Sequence, residues 1–208
     1  VGLKHVNEII ESVVYLPRTE ELFSAIKGKG AYRNGKQIHV SARSFQDSVM
    51  CTALAVYHKE YAQICSEIIV DTFLHCNDIR RFGAAAPELC YVAMGRCELY
   101  FEYLLSPWDF SAASLILTEA GGAISTLDGS KLSFTESSGI LAANSKDNLL
   151  QLQEIVKKHP NVKRVVLNYN PAANTMVLGK REEILYGPGY ISEKLCDCEF
   201  RISPKSFF

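Results

Sequence analysis

Strand-like and helix-like segments alternate as far as residue 158 and then give way to short strands alone. This change of texture near residue 155 constrains the fold more than any other feature. Alternation of the two periods implies an α/β layered arrangement of mixed sheet and helices, and the later run of short strands implies a small antiparallel β piece. The expected domains are 1–152 and 153–208.

Residues 9–16 (IIESVVYL) are β-branched, end at Pro17 and read as a buried strand. Residues 21–26 read as a second strand. The run from Lys27 to Lys36 is rich in glycine, but its spacing fits neither a dinucleotide fingerprint nor a P-loop. Its Asn34-Gly35 pair instead suits a type I′ hairpin turn. Residues 57–72 and 83–94 carry apolar residues near helical spacing, with Pro87 tolerable in a first turn. Residues 99–102 form a short strand. Asp109 then opens a helix over 110–120, closed by Gly121-Gly122. Strands at 123–127 and 140–144 and a helix at 148–158 follow. Beyond His159-Pro160, strands at 163–168, 174–178 and 183–186 are separated by Asn/Pro, Gly-Lys and Gly-Pro-Gly turns.

The 208 residues are 48% hydrophobic and 22% charged, the balance of a globular chain. A net charge of -1 makes nucleic acid an unexpected partner and gives no reason to expect an anionic membrane. No apolar run approaches the ~18 residues that span a bilayer. The chain opens on Val1 with no signal-peptide pattern, and a cytoplasmic location is expected. Seven cysteines, an odd number set mostly in apolar runs, read as buried reduced thiols. Cys196-x-Cys198 lacks a second ligand pair and reads as structural.

Trp108-Asp109 is the sharpest local feature. A carboxylate at a helix start accepts backbone N–H bonds, a cap worth ~1 kcal/mol with no further role. Glu102 lies seven residues earlier. Gly83-Ala84-Ala85 opens another helix whose amides could receive an anion, with Arg80 and Arg81 just before it. These are parts a metal-assisted phosphatase could use. Two-metal hydrolysis, however, needs several carboxylates around ~2 hard cations ~4 Å apart, which one aspartate cannot supply.

Residues 1 to about 150 resemble the C-terminal portion of the inositol monophosphatase family. The resemblance is carried by Glu21-Leu22-Phe23 through Ser41, Arg80-Arg81-Phe82-Gly83-Ala84-Ala85-Ala86, Tyr100-Phe101-Glu102, Pro107-Trp108-Asp109-Phe110-Ser111-Ala112-Ala113 and Glu119-Ala120-Gly121-Gly122. It implies an incomplete sugar-phosphatase-like fold and an inositol or sugar phosphate as substrate. It also implies Mg²⁺ as cofactor and a homo-oligomer. Asp109 would ligate the metal and meet the substrate hydroxyl beside the phosphate. Glu102 would bind substrate hydroxyls, and the backbone of Gly83, Ala84 and Ala85 would line the pocket. Arg80 and Arg81 would support that wall or a dimer contact.

The family's earlier Glu and its Asp-Pro-x-Asp-Gly-Thr segment are not found; Asp71-Thr72 and Asp128-Gly129-Ser130 are echoes in the wrong places. Val1-Gly2-Leu3 is similar to the strand that follows that segment. The expectation is a chain that begins downstream of most of the metal site and hydrolyses nothing alone. The alternative is a non-catalytic fragment or fusion.

Residues 153–208 resemble a middle segment of the RNA uracil-5-methyltransferase family, on residues 162–168, 174–179, 185–187 and 200–208. That family binds S-adenosylmethionine, but its cofactor core and catalytic cysteine would lie beyond this segment. An RNA-modifying role therefore ranks last.

Overall fold

The computed structural model describes residues 1–6, 8–159, 165–169, 181–186, 191–195 and 198–202. It divides into two compact units, Val1–His159 and Pro160–Phe208, and the last helix of the first unit, Lys146–Lys157, includes residues 152 and 153.

The first unit opens with an antiparallel sheet of five strands in chain order: β1 (Gly2–His5), β2 (Glu8–Leu16), β3 (Glu21–Ile26), β4 (Ala31–Arg33) and β5 (Lys36–Ile38). Asn34 (φ 49°) and Gly35 (φ 76°) both take positive φ between β4 and β5, as the expected I′ turn requires. A second, mixed sheet has the order β7-β6-β8-β10-β9, from β6 (Val49–Thr52), β7 (Asp78–Arg80), β8 (Leu99–Leu105), β9 (Ala123–Thr126) and β10 (Ser138–Ala143). β6 runs parallel to both β7 and β8, while β10 is antiparallel to β8 and β9. Neither β6 nor β7 has a sequence signature, because each is only three or four residues long.

The helices are α1 (Ala62–Phe73), α2 (Ala85–Ala93), α3 (Pro107–Glu119) and α4 (Lys146–Lys157). Ridges on α2 and α3 fill the space between the two sheets. One core joins Ile9, Phe23 and Ala31 of the first sheet to Phe110, Ala113 and Ile116 of α3, and to Tyr100 and Ile140 of the second sheet. A separate core on the far face of the second sheet packs Phe101 and Leu141 against Ile64 and Ile68 of α1 and Leu152 of α4. Tyr100 and Phe101 enter different cores because successive strand side chains point to opposite faces. α3 touches sheet on both sides, so it is buried continuously from Ala112 to Leu117 rather than along one stripe. It stops at Gly121 (φ 95°), in the left-handed conformation expected of that position.

The outer face of the first sheet is open. β2 alternates buried and exposed positions, so it is half-buried rather than buried, and Val13, Tyr15, Leu22 and Ile26 are each between 41% and 54% exposed. Apolar residues on both faces made the strand look fully interior.

The 27–30 loop takes its anion from within the chain. Gly28 (φ 75°) and Gly30 (φ 84°) turn their amides onto the two oxygens of Glu119, each at 2.8 Å. This is the arrangement of a phosphate cradle, filled by a carboxylate from the end of α3. The segment between the sheets is held by a second carboxylate. Glu98, fully buried, accepts from Ser41 Oγ (2.9 Å), Arg43 Nη1 (3.0 Å) and Val49 N (2.8 Å).

Cys51, Cys65, Cys90 and Cys97 are buried, Cys76 is half-buried, and all five are free thiols. Burial pushes the Cys65 thiol up to about 11, which keeps it protonated and unreactive. Among the described residues, no helix is long and apolar enough to cross a membrane.

In the second unit, β11 (Val165–Tyr169) pairs antiparallel with β12 (Arg181–Tyr186), and β13 (Ile191–Leu195) with β14 (Cys198–Ile202). The strand expected at 174–178 and the methyltransferase-like positions 162–164, 174–179, 187 and 203–208 lie outside the described residues, as does Cys196.

Candidate active site

The start of α3 follows from four consecutive residues, Ser106-Pro107-Trp108-Asp109. Ser106 has the extended backbone of an N-cap, Pro107 occupies the first helical position, and Asp109 is the third. Asp109 is therefore not the cap residue that the sequence suggested. It reaches back from inside the helix, and its Oδ2 accepts from Ser106 N at 3.0 Å. A serine followed three residues later by an acidic side chain is the capping-box pattern, and it was legible in the sequence.

Glu102 lies on β8, the strand that leads into this turn. Tyr100, two residues earlier and thus on the same face of the strand, is fully buried and donates to Glu102 Oε2 at 2.5 Å. Glu102, Asp109, Gly83, Ala84 and Ala85 all line one cavity of about 480 Å³. Arg81, Tyr57, His58 and Trp108 line it as well, and Trp108 is 81% exposed at its edge. The topology places these residues together because β8 lies in the middle of the second sheet. Its C-terminal end meets the start of α3 there, and the start of α2 closes the same side.

The amides before α2 are not free to receive an anion. Glu88, only 1% exposed, turns back from the first part of the helix and accepts from Phe82 N and Gly83 N, both at 2.7 Å. This corrects the reading of Gly83 as an open anion receptor: its amide and that of Phe82 already have an acceptor in Glu88 of the helix that follows. Burial raises the Glu88 carboxyl above its ordinary value, against the pull of those amides. Glu102 is raised too, chiefly by burial and further by the negative charges of Glu88 and Asp109, while the Tyr100 hydrogen bond opposes the shift. The carboxyl groups that line the cavity itself are those of Glu102 and Asp109.

The raised Glu102 carboxyl has a measurable consequence. Below its ordinary value of 4.5 the group is protonated in folded and unfolded chain alike, and it costs the fold nothing. Above its folded value the fold must carry a charge that burial disfavours. Glu102→Gln is expected to raise the melting temperature by about 2–4 °C at pH 8 and to leave it unchanged at pH 4. An equal change at both pH values would disprove the electrostatic origin.

Sequence reasoning missed Tyr100, Glu88 and Ser106. Same-face spacing could have found the first, the acidic first turn of α2 the second, and the capping pattern the third. Among the described residues, no group of three or more His, Cys, Asp or Glu side chains is arranged to hold a metal ion. One oxygen of Asp109 is already engaged by the cap and one of Glu102 by Tyr100. These side chains do not fit a complete Mg²⁺ centre, which requires about six oxygen ligands in near-octahedral array.

The model of the inositol monophosphatase family matches residues 1–160. The chain is 40% identical over 136 residues to Nus factor SuhB of Salmonella typhimurium, covering 65% of this chain and 51% of that protein. It is 35% identical over 149 residues to the chloroplastic phosphatase IMPL1 of Arabidopsis thaliana, covering 71% of this chain and 40% of that one. The solved inositol monophosphatase from Anabaena superposes with a TM-score of 0.70 at 32% identity, over 76% of this chain and 65% of that structure. The chain thus spans about half the length of the curated relatives it matches.

Proposed function

The chain belongs to the inositol monophosphatase family, and on that premise we propose that its first unit supplies the hydroxyl-recognising half of a phosphomonoesterase pocket. The substrate class is an inositol or sugar phosphate. The observation that carries this reading is the chemistry of the cavity wall. Glu102 and Asp109 offer acceptors, while the amides of Phe82 and Gly83 are already taken by Glu88. Such a surface suits hydroxyl groups, which donate, better than a phosphate, which accepts.

In this reading Glu102 binds ring hydroxyls and Gly83, Ala84 and Ala85 form the wall against which the ring rests. Asp109 meets the hydroxyl next to the phosphate and contributes one ligand to Mg²⁺. The cation would supply charge stabilisation at the phosphate, and its other ligands must come from outside the described residues. The incomplete donor set also supports the second reading, in which this chain binds without cleaving. The open apolar face around Val13 and Leu22 supports self-association. For residues 153–208 the likeness to the uracil-5-methyltransferase family stands as a proposal, with no catalytic group assigned.

The test is calorimetric titration of the 208-residue chain with inositol 1-phosphate, alongside a phosphate-release assay with and without Mg²⁺. Saturable binding that Glu102→Ala weakens about tenfold, with no turnover, is expected. Magnesium-dependent turnover lost in Asp109→Asn would establish the enzyme in this chain alone. Absence of any binding would overturn the hydroxyl-recognition reading.

A further inference from the structure

A carboxylate recognises a hydroxyl selectively only if its own orientation is fixed; a freely rotating one surrenders much of the gain as lost side-chain freedom. Glu102 is not fixed by a cation. Arg81 lines the same cavity and its charge acts on Glu102 from a distance, but no contact ion pair joins the two among the described residues. What holds Glu102 is Tyr100. The phenol is sealed in the core between α2, α3 and the second sheet, on the inward face of β8. It reaches Glu102 Oε2 at 2.5 Å, and among the described residues Oε1 has no donor.

We propose that Tyr100 is the positioning residue of this site: its buried phenol occupies one oxygen of Glu102, so that the other is presented to a hydroxyl of the substrate. The inference rests on the reading of the cavity as a polyol-phosphate pocket. It adds a device that reading does not need. Three features support it. Tyr100 and Glu102 are two apart on one strand, so the contact is set by the pleat and does not depend on a loop. Burial raises the phenol well above its ordinary value, so Tyr100 remains a donor across the working pH range. The part of the wall at Gly83 is held by a comparable device, with Glu88 fixing the amides of Phe82 and Gly83. Glu102 and the amide of Gly83 are thereby both held by buried partners before any ligand arrives, which lowers the ordering cost of binding.

The consequence is selectivity for hydroxyls more than affinity as such. Inositol 1-phosphate and cyclohexyl phosphate share ring and phosphate and differ in the ring hydroxyls. The wild-type chain is expected to bind the first at least tenfold more tightly. Tyr100→Phe removes one oxygen and is expected to reduce that preference about tenfold, while the affinity for cyclohexyl phosphate stays within about twofold. Glu102→Asp breaks the same contact from the other end by drawing the carboxylate back, and the same loss of preference is expected. A merely structural role for Tyr100 would lower both affinities together or neither. If either variant folds, as judged by its melt, and keeps the full preference for inositol 1-phosphate, the positioning role is wrong and the pocket reading survives. If the wild-type chain shows no preference, the pocket reading itself fails.

Discussion

Glu98→Ala is expected to cost the first unit about 3–4 kcal/mol of stability, read as a fall in the urea midpoint at unchanged slope. Three donors converge on this carboxylate: Ser41 Oγ, Arg43 Nη1 and the amide of Val49. Arg43 is half exposed and regains water when its partner is removed. Ser41 and Val49 are partly buried, so water replaces the lost carboxylate only in part, and each donor left unsatisfied costs about 1–3 kcal/mol. The damage spreads because the same segment is gripped elsewhere. Asn144 Nδ2 donates to the carbonyls of Ser41 (3.1 Å) and Arg43 (3.0 Å), and Asn148 Nδ2 donates to Arg43 O at 3.1 Å. Those contacts assume the path that Glu98 fixes. Glu98→Gln is expected to recover only about half of the loss. An amide has one oxygen, so its nitrogen must face either the Val49 amide or the Ser41 and Arg43 donors. A midpoint within 1 kcal/mol of wild type for Glu98→Ala would show that the segment is held by packing alone.

Glu119→Ala is expected to lose about 2 kcal/mol, measured the same way. Two amide bonds to a charged acceptor would be worth more in the core; solvent near Gly28 screens this pair and reduces the figure. The effect has a second signature. Gly28 and Gly30 hold positive φ with their amides aimed at Glu119, and without the carboxylate that concavity is empty. Added phosphate or sulfate is therefore expected to restore part of the melting temperature in Glu119→Ala and to do nothing for wild type. No anion rescue in the variant would mean that the loop relaxes when the carboxylate leaves.

How much of this was legible in the sequence depends on how local each cause is. The hairpin at Asn34-Gly35 and the stop at Gly121 are written in residues that tolerate positive φ, and the structure places them where the residues require. α3 was readable from Asp109 at its start and from its closing glycines, although Ser106 and not Asp109 proves to be the cap. β6 and β7 were not, since three or four residues carry no period and their strand state comes from pairing alongside β8. Asp109 and Glu102 were found together because Trp108-Asp109 and the family resemblance mark that stretch. The Glu119 contact spans 91 residues of chain, so the glycine loop showed its backbone need without naming the partner. Tyr100 looked like one more aromatic core residue, and only the pleat reveals that it shares a face with Glu102.

The most direct measurement of the central claim is a Mn²⁺ titration of the purified chain followed by electron paramagnetic resonance, in which free and bound ion are counted separately. The carboxylates of Glu102 and Asp109 serve the cavity wall and their own hydrogen bonds, and they do not form a cage for a hard divalent cation. Free Mn²⁺ should therefore rise in step with added Mn²⁺, with no stoichiometric uptake below millimolar concentration. Saturable uptake of one or two ions per chain, abolished by Asp109→Asn, would contradict the account.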